Sequence, residues 1–187
     1  WKSDLDAQIK LGVKYQKIQV ENTTDRFVNS AFGANNSVFE HQKFINAEGS
    51  YQFENIDNHA FPTMGMRTEI VTGYTSNLNN NKNFGYLIPS ISFDYKLVPS
   101  GQLVLATKLK SHFTFGGSYE FYQAANIGGN DGLRGYRNQR FTGKNSLYQS
   151  TDIRLNLRRF KTSLVPLNIG LFGGFDYGTV WGQENST

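Results

Sequence analysis

Among the side chains of this 187-residue sequence that could do chemistry, Arg134 has the most telling setting. It lies in IGGNDGLRGYRNQRFTG, residues 127 to 143, a stretch with no apolar period and crowded with glycine, asparagine and further arginines. A guanidinium is always charged and presents a planar fork of donors, which suits bidentate contact with a carboxylate. Gly135 after it, and Gly128 and Gly129 before it, permit the close or left-handed backbone that a loop needs in a crowded space. Other chemistry is hard to assemble. The three histidines, His41, His59 and His112, lie far apart without ligand spacing, and there is no cysteine, so no metal site is expected. GGNDG lacks both the Lys-Ser/Thr of a phosphate loop and the acidic series of a calcium loop. The serines and carboxylates show no nucleophile-base arrangement. The sequence is read as non-enzymatic and without a cofactor.

The elements that must position Arg134 are strands. Aromatic residues reach 14%, with 15 Phe and 10 Tyr, and there are 19 Gly, a mix that favours pleated sheet and tight turns. The segment DAQIKLGVKYQ puts Ala7, Ile9, Leu11, Val13 and Tyr15 on one face and Gln8, Lys10, Gly12, Lys14 and Gln16 on the other. INAEGSYQFEN repeats the pattern from Ile45. Further runs at 66–74, 87–97, 103–113, 147–157 and 167–181 bring the expected count to seven strands. The longest charge-poor stretch, Leu164 to Phe175, contains Pro166 and Asn168 and falls short of the ~18 apolar residues of a spanning helix.

The strands are long, whereas strands of soluble domains usually run to about five or six residues and membrane-spanning ones need ~9–11. The connections alternate too. Residues 21–42 and TSNLNNNKNF read as long and Asn-rich, while NIDNHAFPTMG, KLVPSGQ and RRFKTSLVPLN are shorter and carry proline. That alternation fits an outer-membrane barrel better than a soluble sandwich. In a barrel the apolar face meets lipid, Lys10, Lys14, Glu48, Glu69, Lys108 and Arg154 face the lumen, and Tyr15, Tyr74, Tyr95, Phe113, Tyr177 and Trp181 form aromatic girdles near strand ends. The 19 basic and 15 acidic residues give a net charge of +4, and the basic ones are dispersed along strands, so no nucleic-acid partner is expected.

GGNDGLRGYRNQRF, at 128 to 141, resembles the loop motif of the BamA/TamA superfamily of outer-membrane proteins, a hydrophobic residue followed by Arg-Gly-Phe/Tyr. The match is Leu133, Arg134, Gly135 and Tyr136. IDNHAFPTMGMR (56 to 67) resembles that family's periplasmic hairpin through Phe61, Pro62, Thr63 and Gly65, and GGFDYGTVW (173 to 181) resembles the strand after the motif-bearing loop. The resemblance spans residues 1 to 187 and implies an all-β fold, an antiparallel transmembrane β-barrel. About seven strands of a roughly sixteen-stranded barrel would be present, its second half, with the remaining strands and any POTRA domains outside this sequence. It also implies that the loop at about 114–145 folds back into the lumen. By parity Asp152 and Asp176 face that lumen, where Arg134 would bridge them with Tyr136 packed on the inner wall.

The function this resemblance implies is insertion and assembly of outer-membrane proteins, or translocation of polypeptide across the outer membrane. The expected partners are outer-membrane lipid, an unfolded protein substrate and accessory outer-membrane or periplasmic proteins, in a surface-antigen-type protein of a Gram-negative bacterium. Two other readings stand beside it. One is a barrel that anchors or exports an enzyme domain fused upstream, a patatin-like lipase or calcineurin-like phosphatase, since RFTGKNSLYQSTDIRLNL is similar to such barrels. The other is a passive porin, which would share the alternation but not the Arg134 motif.

Overall fold

The structure, a computed structural model, describes residues 6–23, 39–116, 119–161 and 166–182. Its strands are β1 (Ala7–Ile18), β2 (Gln42–Ile56), β3 (Gly65–Asn77), β4 (Asn83–Lys96), β5 (Leu103–Phe115), β6 (Ala125–Ile127), β7 (Phe141–Gly143), β8 (Asn145–Lys161) and β9 (Pro166–Trp181). Seven of them form one antiparallel sheet in the order β1-β2-β3-β4-β5-β8-β9, and β6 pairs with β7 in a separate small ribbon. All seven expected strands are present, each 12 to 17 residues long. The sheet is open, with β1 and β9 at its edges.

Register keeps side chains of one parity on one face from strand to strand. Val13, Ala47, Tyr74, Gly85 and Phe115 form one cross-strand row on the bare face. That face is apolar and open: Leu11 is 85% and Phe175 71% exposed. Tyr15, Tyr74, Tyr95, Tyr177 and Trp181 all stand exposed on it, and the Trp181 ring meets Phe113 edge-on at 6.2 Å. The opposite face is polar. One of its rows runs Arg67, Ser92, Lys108, Ser150, Asp176, and the next runs Asp94, Ala106, Asp152, Gly174. Here the pattern is inverted relative to a soluble domain, with charge inside and greasy side chains outside.

The connection between β5 and β8 lies over the polar face. Its inbound limb carries a short 3-10 turn at Phe121–Gln123 and then β6. Under this limb the polar face turns apolar. Phe44 and Phe84 are buried at 1% and 5%, meeting the rings of Tyr122 and Tyr119 at 6.3 and 6.0 Å. Lys82 closes on Glu120 at 3.0 Å from the β3–β4 turn. That turn departs from the expected long loop. β3 runs to Asn77 and β4 begins at Asn83, so only residues 78–82 connect them. The Asn side chains make it tight: Asn77 and Asn80 accept hydrogen bonds from the Asn79 and Lys82 amides, each at 2.8–2.9 Å.

Candidate functional site

The site is built by β8, β9 and the tip of the inward loop. Ser150 pairs with Asp176 and Asp152 with Gly174 across the β8–β9 ladder, which stacks both carboxylates on the polar face. Arg134 descends onto them. Its Nε donates to Asp176 Oδ2 at 2.8 Å and its Nη2 to Oδ1 at 2.7 Å, a bidentate fork, while its backbone N–H adds a third bond to Oδ2 at 3.0 Å. The Ser150 hydroxyl donates to Asp176 Oδ1 at 2.7 Å. Asp152 Oδ1 lies 2.8 Å from Nη1, a second ion pair on the same guanidinium. Arg134 is 42% exposed against 12% for Asp176 and 19% for Asp152, so the acids are part of the wall and the arginine is the visitor.

Leu133 and the β6–β7 ribbon fix the height of that visitor. Leu133 packs with Ile127 and Tyr148 in a small buried cluster flanked by Phe141 and Val180. Its amide donates to Gly128 O at 2.9 Å and the Tyr136 amide to Leu133 O at 3.0 Å, closing a turn that projects Arg134. The hydrophobic residue before the arginine is therefore the plug that seats the loop. A second anchor joins Lys110 of β5 to Asp131 at 3.5 Å.

Two glycines make the approach possible. Gly132 has φ +93 and lies flat on the Tyr148 ring, which a Cβ would penetrate. A Cβ on Gly174 would run into the Asp152 carboxylate and come within 2.5 Å of Arg134 Nη2. Gly128 and Gly129 pass close to the carbonyls of Arg137 and Tyr136, as a crowded loop requires. Gly135 differs from expectation, with open space around it and no left-handed φ. Tyr136 differs too: it is 54% exposed and packs on Phe141 of its own loop at 5.1 Å, not on the wall. An aromatic at that position completes the β7 end of the ribbon instead.

The second motif sits at the opposite end of the sheet. Phe61, Pro62 and Thr63 belong to the β2–β3 turn and Gly65 opens β3, far from Arg134 in the ladder. Asp57 organises that turn. It accepts from the Thr63 hydroxyl, from the Thr63 amide at 2.8 Å and from the Met64 amide at 3.0 Å, and Lys96 stands 3.4 Å away. Those bonds, the Thr63 hydroxyl first, hold its carboxyl well below the usual carboxylate range. Phe61 is 70% exposed at the tip, and Gly65 fits against the Asn55 carbonyl with φ +142.

Sequence reasoning named Leu133, Arg134, Asp152 and Asp176, and the structure brings these four together. It passed over Ser150, Tyr148, Lys110 and Asp131. The signal for Ser150 and Tyr148 was present, because both share the parity of Asp152. The Lys110–Asp131 contact depends on where the loop lands, which no local pattern encodes. Among the described residues there is no group of three His, Asp or Glu that could hold a metal.

Comparison with known proteins places this geometry. No curated protein matches the chain. Among solved structures, BamA from Haemophilus ducreyi lacking POTRA domains 1–3 is similar, with a TM-score of 0.72 at 18% identity over 96% of this chain. The chain spans 40% of that BamA chain, so it corresponds to part of such a barrel. The Omp85 superfamily domain matches residues 2–187. With a polar-inside, apolar-outside sheet and an arginine loop seated on its inner wall, the chain belongs to the Omp85 superfamily.

Proposed function

We propose that this chain is part of an outer-membrane barrel that assembles outer-membrane proteins or moves polypeptide across that membrane, a mechanical role without catalysis. The observation that carries the reading is the Arg134 seat. A passive pore needs only a wet lumen and an apolar exterior, whereas this protein spends a bidentate ion pair, a buried leucine and two close-packed glycines on holding one loop against the wall. A loop held at a defined depth by a few polar contacts is suited to sense or guide a chain that enters the barrel. The apolar outer face, with tyrosines and tryptophan toward the strand ends, supports residence in the lipid of the outer membrane.

The test is reconstitution of the full-length parent protein into liposomes, followed by addition of an urea-unfolded outer-membrane protein. Folding is read by the gel shift of unheated samples, and polypeptide entry by protection from added protease. The expected result is faster folding or protected polypeptide relative to empty liposomes, reduced several-fold by Arg134→Ala. Ion conductance with neither activity would return the chain to the porin reading.

A further inference from the structure

We propose that Lys17 and Lys43 form a binding site for a phosphorylated lipid headgroup, on the outer surface of the sheet where it meets the outer leaflet. The two residues are cross-strand partners near the loop end of β1 and β2. They share the parity of Val13, Tyr15, Ile45 and Ala47, so both side chains stand on the bare apolar face, and both residues are exposed. Along β1 to β5 that face carries no other Asp, Glu, Lys or Arg. These strands therefore place their two outward charges directly opposite each other, with ~4.5–5.5 Å between the Cβ atoms. Among the described residues neither lysine forms an ion pair with an acid.

Like charges directly opposite in a ladder are destabilising, and none of the described acids offsets this pair. A phosphate between them does. It presents several acceptor oxygens, and each ammonium has three donors that rotate to meet them. The surroundings point to the source of that phosphate. Tyr15 and Ile45 form the next row inward, about 7 Å away by strand rise, and are 60% and 42% exposed. Exposed Leu78 flanks the pair on β3, its amide donating to Lys43 O at 2.8 Å. Tyrosine at that level marks the membrane interface, and lysine just past it sits where headgroups begin. This end also carries the long connections, residues 19–41 and the inward loop, which in outer-membrane barrels face the cell exterior. A phosphorylated glycolipid of the outer leaflet, lipid A, supplies an anion for the lysines and acyl chains for Ile45, Val13 and Leu11 together. Free phosphate supplies only the anion. The site presupposes the outer-membrane reading above and is independent of whether the barrel folds or translocates polypeptide.

The test titrates the detergent-purified full-length protein with phosphorylated lipid A and counts bound lipid by native mass spectrometry. Dephosphorylated lipid A and inorganic phosphate are the comparison arms. The wild type should hold the phosphorylated lipid more tightly than the dephosphorylated one, and millimolar inorganic phosphate should not displace it. Lys17→Gln and Lys43→Gln should each weaken binding about fivefold, the size expected for one basic side chain at an anionic surface, and roughly twenty-five-fold together. Arginine at both positions should retain it. Lys14→Gln, on the inner face of the same strand, should change nothing. Equal binding of the dephosphorylated lipid, displacement by inorganic phosphate, or a Lys14→Gln loss as large as that of Lys17→Gln overturns the site, while a parent protein that still fractionates with the outer membrane keeps the broader reading. Recovery of the parent in a soluble fraction removes that reading and the site with it.

Discussion

At Arg134 the energetics are set by partial burial. A fully buried ion pair that loses one partner costs ~3–5 kcal/mol, but an exposed pair is worth ~0–1 kcal/mol, and an arginine 42% exposed over acids only 12% and 19% exposed falls between. Arg134→Ala in the full-length protein should therefore cost roughly 1–3 kcal/mol of loop seating, read as faster hydrogen exchange across the loop with the barrel still folded. Arg134→Lys should recover only part of this, because an ammonium cannot reproduce the fork on Asp176. A double-mutant cycle with Asp176→Asn isolates the pair, and strict additivity would refute the brace. Gly174 offers a second, independent reading of the same seat. Gly174→Ala should displace Arg134 from Asp152 and loosen the loop, while Gly173→Ala, with nothing near its Cβ, should be neutral. Equal behaviour of the two alanines would mean that the Asp152 contact contributes nothing.

At the scale of elements, the β2–β3 turn is a self-contained unit whose pH dependence follows from one carboxyl. The folded Asp57 is more acidic than an ordinary aspartate, so its contribution to the turn is fully present above the usual carboxylate range near pH ~4 and is lost as pH falls below it toward the lowered value. Protection of the Thr63 and Met64 amides, taken relative to their intrinsic exchange rates at each pH, should fall below that range in the wild type and be low and flat with pH in Asp57→Asn. A pH-dependent wild-type profile that Asp57→Asn reproduces would remove Asp57 from the account. The elements also show what sequence could and could not supply. Period two survives in the middle of each long strand, so seven strands were legible. It fades at the ends, where Asn77 and Asn83 are polar on either face, and so the β3–β4 turn reads as a long loop. β6 and β7 have three residues each and pair only with one another, too short for any period to register. Phe44 and Phe84 were invisible for a different reason: they sit just outside the alternating runs, and their burial depends on Tyr122 and Tyr119 arriving from the loop. The arginine was legible through its neighbours' types and the acids through parity, whereas the fate of Tyr136 turned on a ribbon that the sequence did not announce.

For the whole molecule, the decisive feature is a seven-stranded sheet with two open edges. β1 offers 12 residues and β9 offers 16 along those edges, and each unpaired backbone group costs several kcal/mol in hydrocarbon. Water is no better a home, since the bare face exposes Leu11, Val13, Leu171 and Phe175 together. The inner face adds a further constraint, because the Arg134 seat rests on β8 and β9, the strands nearest one edge. Fraying of β9 would uncover Asp176 and release the loop at the same time. Residues 1–187 expressed alone are therefore expected to aggregate, or to pair edge to edge, in detergent and in buffer alike. The parent protein should be extracted only by detergent from an outer-membrane fraction and run as a heat-modifiable band. Size-exclusion chromatography with light scattering decides the first point: a monodisperse monomer of the 187-residue chain, with the 127–141 segment as protected from exchange as in the parent, would show that the sheet closes or shields its edges unaided.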